Sequence, residues 1–437
     1  MNAEPYAVII SAASDLNRGD QALLWQAKQV IDDALGIKKY YVFGIDNENL
    51  KQSENEGFET LEPILHHPSY HIKAKSSIRY TPGTLVKWGS VACLDFIRCM
   101  LILHGGSKFA DLLLSGEQKR TFDLLANADI VAVKGGGFIH AYGAVTDPYY
   151  IFYSLFHARL AAKLGRKVVI LPNSFGPFKG PGIATQVRNA LNKCSLVTTR
   201  ESISTQALSE IGVSKALQFP DMAFLLEKDG CELVERLANE YSLNEGDNKI
   251  AITVRPYRFP ELENGQQAYT NYVDAFAKFS DWLVQEGYRV FFVVQTYSFK
   301  NTHENDYECV KHVMERMKEK AECIHSEALD CRSIKALYAK FNLLVGTRFH
   351  SVIFSVSEGV PSIALSYSGN KTTGIMKDMG LDAYVLNAGS ISFDDLKEKF
   401  TLLLDNREQY SLTVDTYRKA ALVEYERLKD CIRALIK

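Results

Sequence analysis

Short runs that are apolar at every position alternate along the chain with longer stretches in which apolar residues recur every three or four positions. The short runs are AVIIS (7–11), YYVFG (40–44), DIVAVKG (129–135), KVVIL (167–171), KIAITV (249–254), RVFFVVQ (289–295), NLLVGT (342–347) and PSIAL (361–365). A strand with one wet face alternates apolar and polar residues. Runs apolar on both faces, separated by helical patterns, predict parallel strands buried between helix layers. The fold class is therefore α/β. The polar, glycine-containing segment EYSLNEGDNK (240–249) follows one helical pattern and precedes a fresh strand. It predicts a boundary between an N-terminal domain of residues 1–240 and a C-terminal domain of residues 241–410. Residues 411–437 keep a helical apolar period without a strand signal and are expected to form a terminal helix packing back on the N-terminal domain.

Residues 66–106 fit the alternation poorly and read as an insertion in the N-terminal domain. They mix Lys73, Lys75, Arg79, Lys87 and Arg98 with Tyr70, Tyr80, Trp88 and Phe96 around the run Val91–Leu103. That run is too short, and with Asp95 and Arg98 too charged, to span a bilayer. A buried helix with a basic connecting loop is the plain expectation, and peripheral contact with a membrane surface or an acceptor is the alternative.

A length of 437 residues exceeds one ordinary core, which agrees with two domains. With 46% hydrophobic and 23% charged residues, the chain has the proportions of a soluble globular protein rather than a disordered one. A formal net charge of -2 gives no reason to expect a nucleic-acid partner. The eight cysteines are scattered, without a CxxC pair or histidines at finger spacing, so neither a zinc site nor a disulfide framework is indicated. The start, MNAEPYAVIISAAS, lacks a basic leader region and suits a first strand. A cytoplasmic protein with reduced thiols is the expectation.

In open parallel sheets, ligands bind beyond the carboxyl ends of strands. Basic residues follow three of the strand runs closely: Arg255, Arg348 and, a little later, Lys371. Convergence of cations from separate strand ends suits an anionic substrate. A strand-end arginine that leads into an apolar helix is expected to be partly enclosed and to need an anion. His350, two residues after Arg348, either packs or takes part in proton transfer. Asn17 and Asp20 fit a plain helix start, because their side chains satisfy free N–H groups. Gly136 and Gly137, within the glycine triplet at 135–137, let a backbone approach a ligand or turn tightly. The triplet is neither the dinucleotide fingerprint, for want of its spacing and later acidic residue, nor a P-loop, for want of GK[ST].

With these loops in view the chain resembles the polysaccharide pyruvyl transferase family over most of its length. The likeness is carried by NRGDQALL (17–24), KGGGFIH (134–140), NSFGPF (173–178), FPDMAF (219–224), VRPY (254–257) and GTRFHSVIFSVSEGVPSIALSYSGNKTTGIMKDMGL (346–381), in that order. The resemblance implies two Rossmann-like domains arranged as in the GT-B glycosyltransferases, with the active site in a central interdomain cleft. It also implies transfer of the carbon skeleton of phosphoenolpyruvate to two hydroxyls of a sugar, as a ketal, with release of phosphate. By similarity Arg348 and His350 fall on the family's RxH site, Arg255 on the arginine after the first strand of the second half, and Lys371 on the lysine of the next loop. The family usually carries a glutamine where this chain has Asn173, and an Arg-Asp pair where it has Arg200 and Glu201.

Phosphoenolpyruvate carries a phosphate and a carboxylate, and Arg255, Arg348 and Lys371 supply the cations to hold both. Protonating its methylene carbon is the hard step, for which His350 is the expected general acid. Beside Arg348 a protonated His350 is disfavoured until a bound anion offsets the repulsion, so donor binding is expected to arm it. A base for the sugar hydroxyl is sought in the first half, where Asp20, His140 and Glu201 are unranked candidates. Phosphoenolpyruvate serves as co-substrate, and neither a cofactor nor a metal is expected. The acceptor is a sugar or a lipid-linked oligosaccharide of a surface polysaccharide, and the oligomeric state stays open. Two other classes compete. A GT-B-type glycosyltransferase would use a nucleotide sugar and an acidic residue such as Glu358, and a non-catalytic binding protein would have shed the basic loop residues.

Overall fold

The computed structural model describes residues 4–44, 50–71, 82–298, 304–367, 369 and 371–436. The chain divides into two compact units. The first comprises Met1–Ala13, Ala27–Gln218 and Leu428–Lys437, and the second Ser14–Gln26 and Phe219–Arg427.

The first unit contains β1 (Tyr6–Ala13), β2 (Lys39–Gly44), β3 (Phe58–Leu61), β4 (Ile130–Val133), β5 (Gly136–Tyr142), β6 (Lys167–Lys179), β7 (Leu196–Thr199) and β8 (Leu217–Gln218). They form one sheet in the order β3-β2-β1-β4-β6-β7-β8, with β5 also paired to β6. Every pair is parallel. β4 and β7 are buried at all positions, as their unbroken apolar or small side chains require. Val8, Val131, Ile170 and Val197 share a core with Phe152, Phe156 and Leu160 of the helix Asp147–Lys163. Each such side chain contributes roughly 1.5–3 kcal/mol by leaving water.

The second unit contains β9 (Lys249–Thr253), β10 (Arg289–Val293), β11 (Glu322–Ile324), β12 (Leu343–Gly346), β13 (Ser362–Ser366) and β14 (Val385–Asn387). Their order is β11-β10-β9-β12-β13-β14, again all parallel. The chain winds outward from β9 through β10 to β11, then returns to lay β12, β13 and β14 on the other side. The winding reverses between β9 and β12. Loops leaving two neighbouring strands in opposite directions open a crevice there, the usual ligand position in such sheets. The helix Phe349–Ser357 that follows β12 is buried at all nine positions, which explains why, His350 apart, it is composed of apolar and small residues.

Several expectations change. The second unit begins at Phe219 rather than 241, and it also takes Ser14–Gln26 from the N-terminal stretch. Most of the helix Arg407–Arg433 belongs to the second unit, while Leu428–Lys437 belongs to the first. There Lys429 lies 3.6 Å from Asp33, and Arg433 donates to the Asp33 carbonyl. The strand run at 167–171 continues through PNSFGPF as β6, and β5 begins at Gly136, the second glycine of the triplet. The short strands β3, β7, β8, β11 and β14 escape a reading by apolar runs, since two to four residues leave no period to detect. In the 66–106 insertion, Lys73, Lys75, Arg79 and Tyr80 lie outside the described residues. The run Val91–Leu103 lies in the helix Pro82–Gly105. No described helix is long and apolar enough to cross a membrane. All eight cysteines are free thiols.

Candidate functional site

Strand register sets the two arginines side by side. Thr253 of β9 is the register partner of Gly346 of β12, and Arg255 and Arg348 each follow two residues later. The Thr347 N–H donates to the Thr253 carbonyl at 2.9 Å, and the Thr253 hydroxyl meets Ser351 at 2.8 Å, so the two strand ends are tied together. Their side chains then meet different partners. Arg348 donates through Nε (2.8 Å) and Nη2 (2.6 Å) to Oδ1 of Asp306, a fully buried carboxylate in the first turn of the helix Asp306–Met314. The Thr296 N–H donates to the other carboxylate oxygen at 2.9 Å. Burial works against the Arg348 cation, but Asp306 outweighs it and holds the guanidinium pKa above its ordinary value. Burial raises the Asp306 carboxyl in turn, while Arg348 pulls it back.

Arg255 differs. Its guanidinium carbon lies 4.5 Å from the ring centre of Tyr367 and 5.1 Å from that of Tyr257, in cation–π contact with both. Its Nε is buried without a hydrogen-bond partner, and it makes no ion pair among the described residues. A buried donor left unmade costs free energy that an anion would recover.

His350 is the second residue of the helix Phe349–Ser357 and is 9% exposed. Its Nδ1 lies 3.3 Å from the Lys371 ammonium nitrogen. An ammonium only donates, so in this arrangement Nδ1 accepts and the imidazole is neutral. Lys371 opens the helix Lys371–Asp378, and its ammonium also lies 5.6 Å from the Phe349 ring centre. Facing His350 is Gly19, where a Cβ would stand 2.0 Å from Nδ1. Asn17 starts the helix Arg18–Leu35. Its Oδ1 accepts from Gly19 N–H at 3.1 Å and Asp20 N–H at 3.4 Å, and its Nδ2 donates to the Asp20 carboxylate at 3.1 Å. Asn17 and Asp20, expected in the N-terminal domain, thus belong to the second unit along with His350.

The other candidates belong to the first unit. Glu201 is fully buried, accepting from the Ser174 hydroxyl at 2.9 Å and from Ser204. Arg200 donates to Ser174 at 2.7 Å, and its Nε lies 3.9 Å from Glu201. Enclosed in this way, the Glu201 carboxylate ties Ser174 to Ser204 in the first turn of the helix Ser202–Glu210. A Cβ on Gly137 would come 3.1 Å from Arg200 Nη2, and one on Gly136 would come 2.9 Å from the Phe138 ring. Gly136 and Gly137 therefore allow close packing here. Asn173 donates to the carbonyls of Lys134 and Leu171, and its buried Oδ1 lacks a partner among the described residues. His140 is half-buried with Nδ1 3.0 Å from the Gly137 carbonyl oxygen, and burial lowers its pKa, favouring the neutral ring.

Sequence reasoning missed Asp306, Gly19, Tyr257 and Tyr367. Asp306 ends the acidic segment HEND (303–306) and opens the helix Asp306–Met314. Asn305 caps that helix by accepting from Tyr307 N–H at 3.2 Å, and His303 is outside the described residues. Glu358 follows the C-terminus of the helix Phe349–Ser357, whose length separates it from His350 by about 12 Å at 1.5 Å per residue. Its carboxylate is 2.7 Å from Lys228 and 3.5 Å from Lys335, so its charge is already engaged.

Comparison with known proteins adds to this geometry. Over 342 residues the chain is 27% identical to the amylovoran biosynthesis protein AmsJ of Erwinia amylovora, covering 75% of this chain and 77% of that one. Among solved structures, the UDP-GlcNAc 2-epimerase of Neisseria meningitidis bound to UDP-GlcNAc superimposes with a TM-score of 0.54 at 12% identity, covering 94% of each chain. A glycosyltransferase of Rickettsia africae gives 0.52 at 12% identity, covering 99% of each. At such identities the likeness is one of fold, two Rossmann-like units of the GT-B kind. The model of one family, polysaccharide pyruvyl transferase, matches residues 17–369, from Asn17 through the loop after β13. Spanning both arginine-bearing strand ends and His350, that match makes the chain a member of the polysaccharide pyruvyl transferase family.

Proposed function

We propose that the protein transfers the pyruvyl unit of phosphoenolpyruvate to two hydroxyls of a sugar in a surface-polysaccharide precursor, as a ketal, with release of phosphate. The observation that carries this reading is Arg255, a cation over two tyrosine rings whose buried Nε lacks a hydrogen-bond partner among the described residues, in the same unit as His350 and Lys371. Arg255 and Lys371 receive the anionic ends of the donor. Arg348, whose charge Asp306 already balances, adds a shaped guanidinium edge rather than a free cation.

The donor's anion draws the Lys371 ammonium from Nδ1, which leaves His350 able to hold a second proton. The imidazolium gives a proton to the methylene carbon, and C2 becomes oxocarbenium-like. A sugar hydroxyl attacks C2 while a base takes its proton. Asp20, next to the Gly19 that faces His350 and in the same unit, is the candidate base. The C2–O bond to phosphate then breaks, the second hydroxyl closes the ring, and its proton leaves with phosphate. The chemistry uses no cofactor, no metal and no nucleic acid.

The alternative is a nucleotide-sugar transferase, which the fold likeness to UDP-dependent enzymes brings forward. Glu358, its acidic candidate, sits at the far end of the helix from His350 and is held by two lysines. Incubation with phosphoenolpyruvate or UDP-sugars and a panel of acceptors separates the readings. Phosphate release with a matching mass gain of an acceptor supports pyruvyl transfer. UDP release with no phosphoenolpyruvate turnover overturns it.

A further inference from the structure

We propose that the helix Pro82–Gly105, with its neighbour Ser107–Leu113, docks the protein on an anionic lipid surface. One face of the longer helix is packed: Cys99, Ile102 and Leu103 belong to the core of the first unit. The opposite face is also apolar, which a helix needing only one core contact does not require. Val86, Leu94, Ile97 and Leu101 are 69%, 70%, 52% and 39% exposed, and at 100° per residue they fall within about a quarter turn. Leu112 of the next helix is 75% exposed. These residues form a stripe on a helix of 24 residues, in the length range of helices that lie in a membrane interface.

Charge selects the occupant. Lys87 and Lys108 are exposed toward the two ends of the stripe. The single carboxylate of the longer helix, Asp95, lies off it, with a side chain 13% exposed and 3.1 Å from Arg98. Arg98 is itself held inward by the Ile64 carbonyl at 2.8 Å and Gln118 at 3.2 Å. Asp111, next to Leu112, is paired with Lys119 at 2.9 Å. An apolar stripe flanked by lysines and clear of unpaired carboxylates matches a bilayer with anionic headgroups. A second copy of the same face would set lysine against lysine. The inference involves no step of the proposed reaction.

The test is co-sedimentation of the full chain with vesicles of phosphatidylcholine alone or mixed with phosphatidylserine, at low and high salt. Wild type is expected to bind the mixed vesicles at least tenfold better than neutral ones and to lose that preference in high salt. The double variant Leu94→Glu/Ile97→Glu should lose tenfold or more in binding with an unchanged melting temperature, since both residues are exposed. Lys87→Glu/Lys108→Glu should lose the preference for anionic vesicles. No binding to mixed vesicles at low salt, or equal binding by the Leu94→Glu/Ile97→Glu variant, overturns the proposal. So does a wild-type dimer in sedimentation velocity that the same variant abolishes, which would make a second copy the occupant.

Discussion

Gly19 packs so closely on His350 that a methyl group in place of its hydrogen would stand 2.0 Å from Nδ1. Side chain and backbone from opposite ends of the chain thus fix the imidazole, and Gly19→Ala tests it. The methyl has nowhere to go unless the ring shifts, and overpacking of this kind costs ~1–3 kcal/mol. We expect a folded but less stable protein whose kcat falls by about 10²-fold or more, the range that a displaced general acid removes. Wild-type turnover in a folded Gly19→Ala variant would separate the position of His350 from the reaction.

Asp306 and Arg348 should behave as one unit. Removing one partner leaves the other buried and charged, a loss of ~3–5 kcal/mol, whereas removing both leaves none. Urea unfolding of Asp306→Ala, Arg348→Ala and the double variant is therefore expected to be strongly non-additive, with the double variant no worse than the poorer single. Additive losses would mean that the 2.6 Å contact carries no coupling.

Arg255→Lys keeps a charge and gives up the flat group that lies over Tyr257 and Tyr367. Calorimetry should show phosphoenolpyruvate binding weakened by ~1–3 kcal/mol, the scale of a charge-assisted hydrogen bond. Full affinity in both Arg255→Lys and Arg255→Ala would remove this residue from donor binding.

Stability should fall in acid through His157. The ring is buried in the first unit, where its Nε2 accepts from the N–H groups of Ile64 (3.1 Å) and Leu65 (3.4 Å), an arrangement open only to the neutral form. Burial, with a smaller contribution from His66, lowers its pKa from 6.5 to about 3. Between those values the unfolded chain binds a proton that the folded chain refuses, so stability drops as pH falls, by up to ~1.4 kcal/mol per pH unit. The urea midpoint measured from pH 7 to pH 4 should decline less steeply in His157→Gln. An identical slope would assign the acid sensitivity to other groups.

Activity is expected to survive EDTA. Among the described residues no three His, Cys, Asp or Glu side chains gather as a metal site, and the cations near His350 are side chains. A loss of turnover that Mg²⁺ or Mn²⁺ restores would count against a reaction run by Arg255, Lys371 and His350 alone.

The sequence by itself determined what depends on local pattern. Unbroken apolar runs can only be buried on both faces, so β1, β4, β9 and β12 were legible, as were the basic residues that must emerge at the strand ends. What depends on which strands become neighbours was decided only in three dimensions. Arg255 and Arg348 adjoin because β9 pairs with β12 and not because of any spacing between them. Likewise the Asp306 carboxylate, 42 residues from Arg348, neutralises a cation that the sequence offers as free. The boundary near 240 was misplaced for a related reason. Composition marks where a strand begins, but Ser14–Gln26 and Phe219–Arg427 belong together through their contacts, to which a linear pattern is blind. Gly136 and Gly137 show the same limit: the sequence reveals that a Cβ is missing, and only packing reveals that Phe138 and Arg200 take up the space.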